Sequence, residues 1–239
     1  MTIPNPTVPR DLTTWQWLFE HPTYSPIARF PPNELAGYTN ALTKERLNWL
    51  QVKEAATHLS TALKKRYGLQ EGDTVALFSQ NSIWYPVAMH ATLRVGGKVS
   101  GASPAYNVEE MTYALKTADA KFLMTHPNSM EVAVKAAENA GIPRERVFLL
   151  EGEIGGHTTI KELIEMGRKE GEQSPCYTIP EGKTNFDICE YREWGVLQGD
   201  SQLTSITRRF LVFQLGNDRS AKSCKCIPTL TASAQQLTP

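Results

Sequence analysis

The chain has 239 residues, of which 41% are hydrophobic and 21% charged, and its 25 basic and 25 acidic side chains give no formal net charge at pH 7. This length and composition fit one domain of ordinary size with a buried core, with room for a tail. The even charge balance argues against a nucleic-acid partner, which a strongly basic chain would favour. We therefore expect a neutral, enzyme-like domain.

The N-terminal stretch, residues 1–40, is rich in proline and has no regular pattern. Pro31 and Pro32 interrupt any helix there, because proline lacks the backbone N–H and clashes with the preceding turn. A short amphipathic turn is expected at the apolar residues Trp15, Trp17, Leu18 and Phe19. We expect the whole stretch to form a strap that lies on the surface of the domain.

No segment has the apolar run of a secretory signal, and none approaches the ~20 apolar residues that span a bilayer. The chain ends in Leu-Thr-Pro, which is not a peroxisomal address. The four cysteines, Cys176, Cys189, Cys224 and Cys226, lack the spacing of zinc ligands and are expected to be free thiols. A cytoplasmic protein without a membrane span is the expectation.

The first long helix is predicted to begin after Asn48, which can act as N-cap with Gln51 as its capping-box partner. The apolar residues that follow recur on one helical face, and they are Val52, Ala55, Ala56, Leu59 and Leu63. Gly68 is predicted to end this helix, because glycine takes the left-handed conformation at no steric cost. His58 beside this face, and His90 in the middle of the next predicted helix, are interpreted as structural.

Strands and helices then alternate four times along the chain. The predicted strands are the runs at 74–79, 98–103, 121–125 and 146–150. The predicted helices cover 83–95, a segment after 107, a segment around 132–137 and a last one from 158 or 159 to 166. Because short connections join strands that are separated by helices, the crossovers should be parallel and right-handed. The sequence therefore predicts an α/β fold over about residues 45–170, with a parallel sheet flanked by helices on both faces.

The stretch from Leu93 to Glu110 is the most clearly punctuated part of this pattern. Gly96-Gly97 can end one helix, and Pro104 ends the strand after it. Asn81-Ser82 offers an N-cap to the helix at 83–95, with proline in its first turn. Glu109-Glu110, beside the capping residue at 107, falls where the helix macrodipole favours carboxylates, so these two acids are interpreted as structural.

The residues from Gly72 to Thr125 resemble the N-terminal part of the AMP-forming acyl- and aryl-CoA ligases, adenylate-forming enzymes of the coumarate–CoA ligase type. The pieces that carry the resemblance are Asn81-Ser82, Gly96-Gly97, the turn Ser103-Pro104-Ala105-Tyr106 and Glu109-Glu110. The likeness extends from about Trp15 to about Asn185. It implies a partial N-terminal lobe in residues 1–185 and a tail outside the family pattern in residues 186–239.

The resemblance implies a parent reaction in which ATP activates a carboxylic acid to an acyl adenylate that then passes to CoA, with ATP, Mg and CoA as cofactors. The family's Ser/Thr/Gly phosphate loop, which ends in Pro-Lys, belongs just beyond the point where this chain departs from the pattern. Gly97-Lys98 lacks the upstream glycine of a Walker loop, and Gly152, Gly155 and Gly156 lack the spacing of a dinucleotide fingerprint. No catalytic, cofactor-binding or metal residue, and no cofactor, is therefore expected for this chain.

A truncated, inactive ligase fragment is the leading hypothesis, with apolar surface exposed where the rest of the fold would pack. The second is a non-catalytic binding or regulatory module that pairs with a full-length ligase. An unrelated flavodoxin-like nucleotide binder is disfavoured, because no phosphate loop follows residues 74–79. Trp84, Tyr85 and Tyr106 could wall an acyl or pantetheine tunnel in a complete enzyme, but core and turn packing is the favoured interpretation.

The periodic pattern degrades from Glu172 onward. Ser174-Pro175 and residues 180–182 have the composition of a linker, and the tail keeps one apolar run, Phe210–Phe213. Codons for residues 214–225 can be chosen so that the same bases, read one nucleotide later, spell Ser-Ser-Gly-Thr-Thr-Gly-Leu-Pro-Lys-Ala-Val, the phosphate loop of the resembled family. We therefore expect the tail to be ligase coding sequence translated out of frame, after a frameshift or retained intron soon after Cys189, and to be disordered or poorly packed.

Overall fold

The structure is a computed structural model that describes residues 11–181. Its strands are β1 (Gly37–Thr39), β2 (Arg46–Asn48), β3 (Thr74–Phe78), β4 (Lys98–Ala102), β5 (Ala120–Thr125) and β6 (Val147–Leu149). Its helices are α1 (Pro26–Arg29), α2 (Trp49–Tyr67), α3 (Tyr85–Arg94), α4 (Val108–Thr117), α5 (Met130–Ala140) and α6 (Ile160–Lys169). A π-helical turn, Gln16–Glu20, precedes α1.

A four-stranded sheet forms the centre, in the order β4-β3-β5-β6, and every pairing within it is parallel. The alternating side chains of β3 explain why helices cover both faces, since successive residues of a strand point to opposite sides. Val75 and Leu77 pack in a core with residues of α2, α3 and α6, whereas Ala76 and Phe78 pack in a second core with residues of α4 and α5. The predicted parallel α/β fold is therefore confirmed.

Capping boxes define the starts of three helices. The side chains of Asn48, Asn107 and Thr159 accept from the backbone N–H three residues on, and the side chain of that third residue accepts from the cap's own N–H. Gly68 ends α2 and Gly141 ends α5, both in the left-handed conformation. The helix boundaries predicted at Asn48, Gly68 and residue 107 are confirmed, and of the two candidates 158 and 159 it is Thr159 that caps α6. Capping is a local interaction that the sequence shows directly.

The pairing of α2 with α6 depends on a close backbone contact. A Cβ atom added at Gly167 of α6 would lie 1.8 Å from the carbonyl oxygen of His58 on α2. Only a glycine permits this approach, because Cβ atoms are not found under about 3.0 Å from such an atom. Gly167 thus fixes how closely the last helix packs on the first long one.

The N-terminal prediction needs correction. Trp15 and Phe19 are only 1% and 2% exposed and belong to the core shared with α2 and α3, so this part of the strap is inserted and does not lie on the surface. Residues 37–48 form an antiparallel hairpin, β1–β2, that the sequence analysis did not predict. Strands of three residues each are too short to show an alternating pattern.

Smaller corrections concern helix α3, helix α5 and the predicted linker. Helix α3 begins at Tyr85 instead of residue 83, and the Ser82 hydroxyl accepts from the Trp84 N–H before the helix starts. Helix α5 extends beyond the predicted segment around 132–137 on both sides, and its buried stripe is made by a methionine and alanines. Ser174 is buried and donates its N–H to Thr61, so residues 172–177 pack on α2 and α3 and are not a free linker.

Candidate functional site

The order of the strands defines where a ligand crevice belongs. β4 lies on one side of β3 and β5 lies on the other, so the winding direction of the sheet reverses between β3 and β5. In open parallel sheets, ligands bind at the carboxyl ends of the strands at such a switch point. The loops that follow β3, β5 and β6 at this edge carry the candidate site.

Glu151, just beyond β6, is the centre of this edge. Its carboxylate accepts a hydrogen bond from the Ser82 hydroxyl at 2.5 Å, between residues 69 positions apart in the sequence. Ser82 in turn accepts from the Trp84 N–H at 3.0 Å, which orients the hydroxyl. The loop after β3 is thus tied to the loop after β6 by a charge-assisted hydrogen bond.

His126, directly after β5, is the third residue of the candidate site, beside Ser82 and Glu151. Its Nδ1 accepts from the Asn128 N–H at 3.2 Å, so the network assigns the ring proton to Nε2. Nε2 lies 3.7 Å from the second carboxylate oxygen of Glu151, with side chains 19% and 29% exposed. Because this nitrogen carries the proton, it has no lone pair to offer to a metal ion. The arrangement presents a partly exposed carboxylate between a hydroxyl and an imidazole N–H.

The aromatic candidates lie in packed positions. Trp84 is 9% exposed and its ring lies 5.4 Å from the ammonium of Lys161. Burial raises the pKa of Tyr85 to about 12, so its hydroxyl stays protonated. Tyr106 packs against the α4–α5 core at the turn after β4, where its N–H bonds the Ser103 carbonyl. These positions support core and turn packing for all three.

The histidines that the sequence singled out lie away from the switch point. His58 on α2 lies 3.1 Å from the Gln173 side-chain oxygen and 3.8 Å from Glu54. His90 on α3 is 3% exposed, and burial lowers its pKa to about 4. Neither ring faces the carboxyl edge formed by Ser82, His126 and Glu151, and both contact groups elsewhere in the lobe.

The glycines considered as phosphate-loop substitutes occupy turns. Gly96 has a positive φ of 82° and lies against the Tyr177 ring, which leaves no open cradle beside Gly97-Lys98. Gly152 and Gly156 also have positive φ, and their neighbours are Pro127 and Arg144. Within residues 11–181, no three His, Cys, Asp or Glu side chains are grouped to hold a metal ion.

A concave feature lies at the opposite, amino-terminal edge of the sheet. It is a shallow depression of about 190 Å³ whose lining includes Lys116, Lys121 and Arg146. Lys121 pairs with Asp119, and Arg146 donates to the Tyr67 carbonyl and lies over the Phe122 ring. Arg146 thus serves the packing of the lobe and Lys121 belongs to a surface ion pair, and the depression lies at the edge opposite to the one where ligands bind in such sheets.

Sequence reasoning treated Ser82 as a helix cap and did not single out His126 or Glu151. A signal was available, since each of the three residues lies within a few positions of the carboxyl end of a predicted strand. In a parallel sheet those ends share one edge. What the sequence lacked was the strand order, without which the three loops cannot be placed side by side.

Comparison with known proteins identifies the relatives of this lobe. The sequence profile of a family described as AMP-binding enzyme matches residues 28–177. The acyl-CoA ligase azaF of Aspergillus niger is 33% identical over 106 residues, which cover 44% of this chain and 20% of that protein. The phenylacetyl-CoA ligase epaB of Aspergillus niger is 31% identical over 132 residues, 55% of this chain and 23% of that protein.

Solved structures share the fold. A putative long-chain-fatty-acid CoA ligase from Rhodopseudomonas palustris aligns with a TM-score of 0.56 at 17% identity, covering 69% of this chain and 38% of that one. The anthranilate CoA ligase AuaEII, in complex with anthranoyl-AMP, aligns with a TM-score of 0.54 at 19% identity, covering 66% and 29%. The chain spans about a fifth of the length of the curated relatives it matches. Within residues 11–181, no helix is both long and apolar enough to cross a membrane.

Proposed function

We propose that this chain, which belongs to the AMP-binding enzyme family, is the N-terminal lobe of an acyl- or aryl-CoA ligase and does not activate carboxylic acids by itself. The parent reaction would join a carboxylic acid to AMP at the expense of ATP and then transfer the acyl group to CoA, with Mg as the metal. A cytoplasmic location is part of this proposal.

One observation carries the proposal. The family match over residues 28–177 covers nearly all of the described lobe and is supported by relatives that are CoA ligases. The reaction needs preorganised N–H donors and a lysine around the ATP phosphates, and the resembled family supplies them from a loop that does not appear in this sequence. Loss of one such donor costs on the order of a hundredfold in rate, so loss of the set removes the activity.

The test is acid-dependent exchange between ATP and pyrophosphate. The panel consists of phenylacetate, anthranilate and a long-chain fatty acid, the acids in the names of the proteins compared above. The purified chain should give no exchange above a protein-free control with any of them. A full-length acyl-CoA ligase run in parallel shows that the assay works. Exchange by this chain that depends on one of the acids would refute the proposed inactivity.

We also propose that residues 186–239, which lie outside the described residues, are ligase coding sequence read in the wrong frame. The support is the codon reading of residues 214–225, in which the shifted frame can spell the phosphate loop close to where the family has it. The predictions about Cys189, Cys224 and Cys226 fall in this part of the chain, whereas Cys176 is a half-buried free thiol.

A second candidate function is a non-catalytic module that pairs with a full-length ligase. The observation that favours it is the exposure of large apolar side chains, four of which fall in residues 24–50: Tyr24, Phe30, Leu42 and Leu50. Leu42, at the tip of the β1–β2 hairpin, is 91% exposed. We propose that they contribute to one patch, since contiguous apolar patches are typical of surfaces that another protein covers.

Pull-down of a purified full-length acyl-CoA ligase from the same genome tests this second function. Pairing through the hairpin is supported if Leu42→Ser abolishes binding and Thr43→Ser, a change at an exposed polar residue, does not. If the ligase does not bind at all, or if it binds both variants equally, pairing through this surface is ruled out. Thr43 lies beside Leu42 in the same turn, so it is a matched control.

A further inference from the structure

Only the segment Trp15–Glu20 of the N-terminal stretch is called the N-terminal strap from here on. It is held mainly by two buried side chains. Trp15 and Phe19, one turn apart, are 1% and 2% exposed. The Trp15 indole N–H donates to Glu20 within the strap at 2.7 Å. Three side chains outside the strap donate to it: the Lys53 ammonium to the Phe19 carbonyl at 3.1 Å, the Ser25 hydroxyl to the Leu18 carbonyl at 2.9 Å and the Cys176 thiol to Glu20 at 3.8 Å. A segment with so few hydrogen bonds to the rest of the fold can open locally while the sheet stays intact.

Two polar side chains of α3 lie directly beneath the strap. Phe19 meets the His90 ring edge-on, with centroids 5.0 Å apart at 85°, and Trp15 lies over the Arg94 guanidinium at 5.4 Å. His90 and Arg94 are 3% and 7% exposed. One turn of the strap thus covers one turn of α3. The apolar rings of Phe19 and Trp15 lie over the basic side chains of His90 and Arg94.

Three nitrogens under this cover have no hydrogen-bond partner within the described part of the chain. They are both ring nitrogens of His90 and the Nε of Arg94. An unpaired buried nitrogen costs about 1–3 kcal/mol relative to its hydration in water. The cost grows steeply when the imidazole takes up a proton, because an isolated buried charge is far more expensive than a neutral ring.

Within residues 11–181, the charged and titratable groups around His90 offer the imidazolium no ion-pair partner. On α3 the neighbour is Arg94, a like charge whose own Nη1 is bonded to Ser60 at 3.0 Å. On the strap, Glu20 is bonded to the Trp15 indole, lies 3.8 Å from the Cys176 thiol of the segment after α6, and its carboxylate attracts the Arg94 guanidinium. On α2, the side chain that packs toward His90 is the Trp49 ring, with centroids 6.2 Å apart.

We propose that the N-terminal strap is an acid-released latch: protonation of His90 beneath it lifts Trp15–Glu20 off α2 and α3 while the parallel sheet remains folded. The neutral imidazole tolerates the apolar cover, whereas the imidazolium requires water. Moving Phe19 off the imidazole gives His90 a route to water. Lifting the strap also hydrates the unpaired Nε of Arg94.

Amide hydrogen exchange followed by mass spectrometry tests the latch on the full chain. After correction for the intrinsic pH dependence of exchange, the amides of Gln16–Glu20 should exchange about twentyfold faster at pH 5 than at pH 7. This factor follows by linkage from a pKa that rises from about 4 under the strap toward the ordinary 6.5 when it opens. Amides of β3 and β5 should keep their protection at both pH values.

Two variants make the test specific. His90→Leu keeps an apolar side chain under Phe19 but removes the titration, so strap exchange should become nearly independent of pH. His58→Gln removes the half-buried imidazole of α2, which lies outside the strap contact, and should keep the wild-type response.

The latch is refuted if strap exchange in the wild-type chain is the same at both pH values, or if His90→Leu retains the acid response. Parallel loss of protection in β3 and β5 would also refute it, because the transition would then be global unfolding. Should His90→Leu fail to fold, the ring proton signals of His90 in the wild-type chain decide. They must titrate in step with the rise in strap exchange, and titration without that rise contradicts the latch.

Discussion

Phe19 and His90 lie edge-to-face, with ring centroids 5.0 Å apart, although one residue belongs to the N-terminal strap and the other to the middle of α3. This contact places a titratable ring in the core, where burial lowers the pKa of His90 to about 4. The contact therefore makes the stability of the lobe depend on pH through the protonation of this imidazole.

The sign of this dependence follows from linkage. In the unfolded chain His90 takes up a proton near its ordinary pKa of 6.5, and in the folded chain only near 4. The unfolded state therefore binds the extra proton first, and the stability present above pH 6.5 is lost as the pH falls through that window. The wild-type chain should lose about 3 kcal/mol of unfolding free energy between pH 7 and pH 4 through this group.

Urea denaturation at the two pH values, with wild type and His90→Leu compared, measures this term. Carboxylates titrate in both proteins, so the difference between the two pH profiles isolates His90. The variant should lose less stability on acidification than the wild type. Equal losses in the two proteins would contradict the burial of a neutral imidazole at this position.

Gly167→Ala should destabilise the lobe by about 1–3 kcal/mol, even though alanine is the better helix former. The added Cβ would meet the His58 carbonyl oxygen at 1.8 Å, and backbone cannot rotate away as a side chain can. The expected result is a lower midpoint in urea denaturation. Gly171→Ala is the matched control, because a Cβ there meets nothing within 4 Å. Equal losses of stability in the two variants would contradict the close α2–α6 contact.

The hydrogen bond between Ser82 and Glu151 should appear as a coupling energy of about 1 kcal/mol in a double-mutant cycle of Ser82→Ala and Glu151→Gln. The value is modest because both side chains are partly exposed and water can replace the lost partner. Urea denaturation of the four proteins gives the coupling. Glu153→Gln, at an exposed position of the same loop, should show no coupling to Ser82. Equal coupling energies for Glu151 and Glu153 would contradict the hydrogen bond between the two loops.

The sheet and most of the helices could be predicted because their signals are local. The compact run at residues 74–79 shows its burial on both faces, and Asn48 and Asn107 each stand three residues before the side chain that completes the capping box. Such signals need no knowledge of what the segment later packs against.

The strap and the candidate site could not be predicted for the opposite reason. Trp15 and Phe19 read as an amphipathic surface turn until α2 and α3 provide a groove that buries them. Glu151 reaches Ser82 across 69 residues only because β5 and β6 lie on the same side of β3. Both features depend on strand and helix order, which periodicity and propensity do not specify.

The nucleotide sequence that encodes residues 214–225 tests the central claim most directly. We predict that the same bases, read one nucleotide later, encode Ser-Ser-Gly-Thr-Thr-Gly-Leu-Pro-Lys-Ala-Val and that ligase coding sequence continues in that frame. The chain would then be the first lobe of an acyl-CoA ligase with an out-of-frame tail, and the corrected transcript should give ATP-dependent CoA ligase activity. If those bases encode no such loop in the shifted frame, or if that frame closes without further ligase sequence, this account of the chain is contradicted.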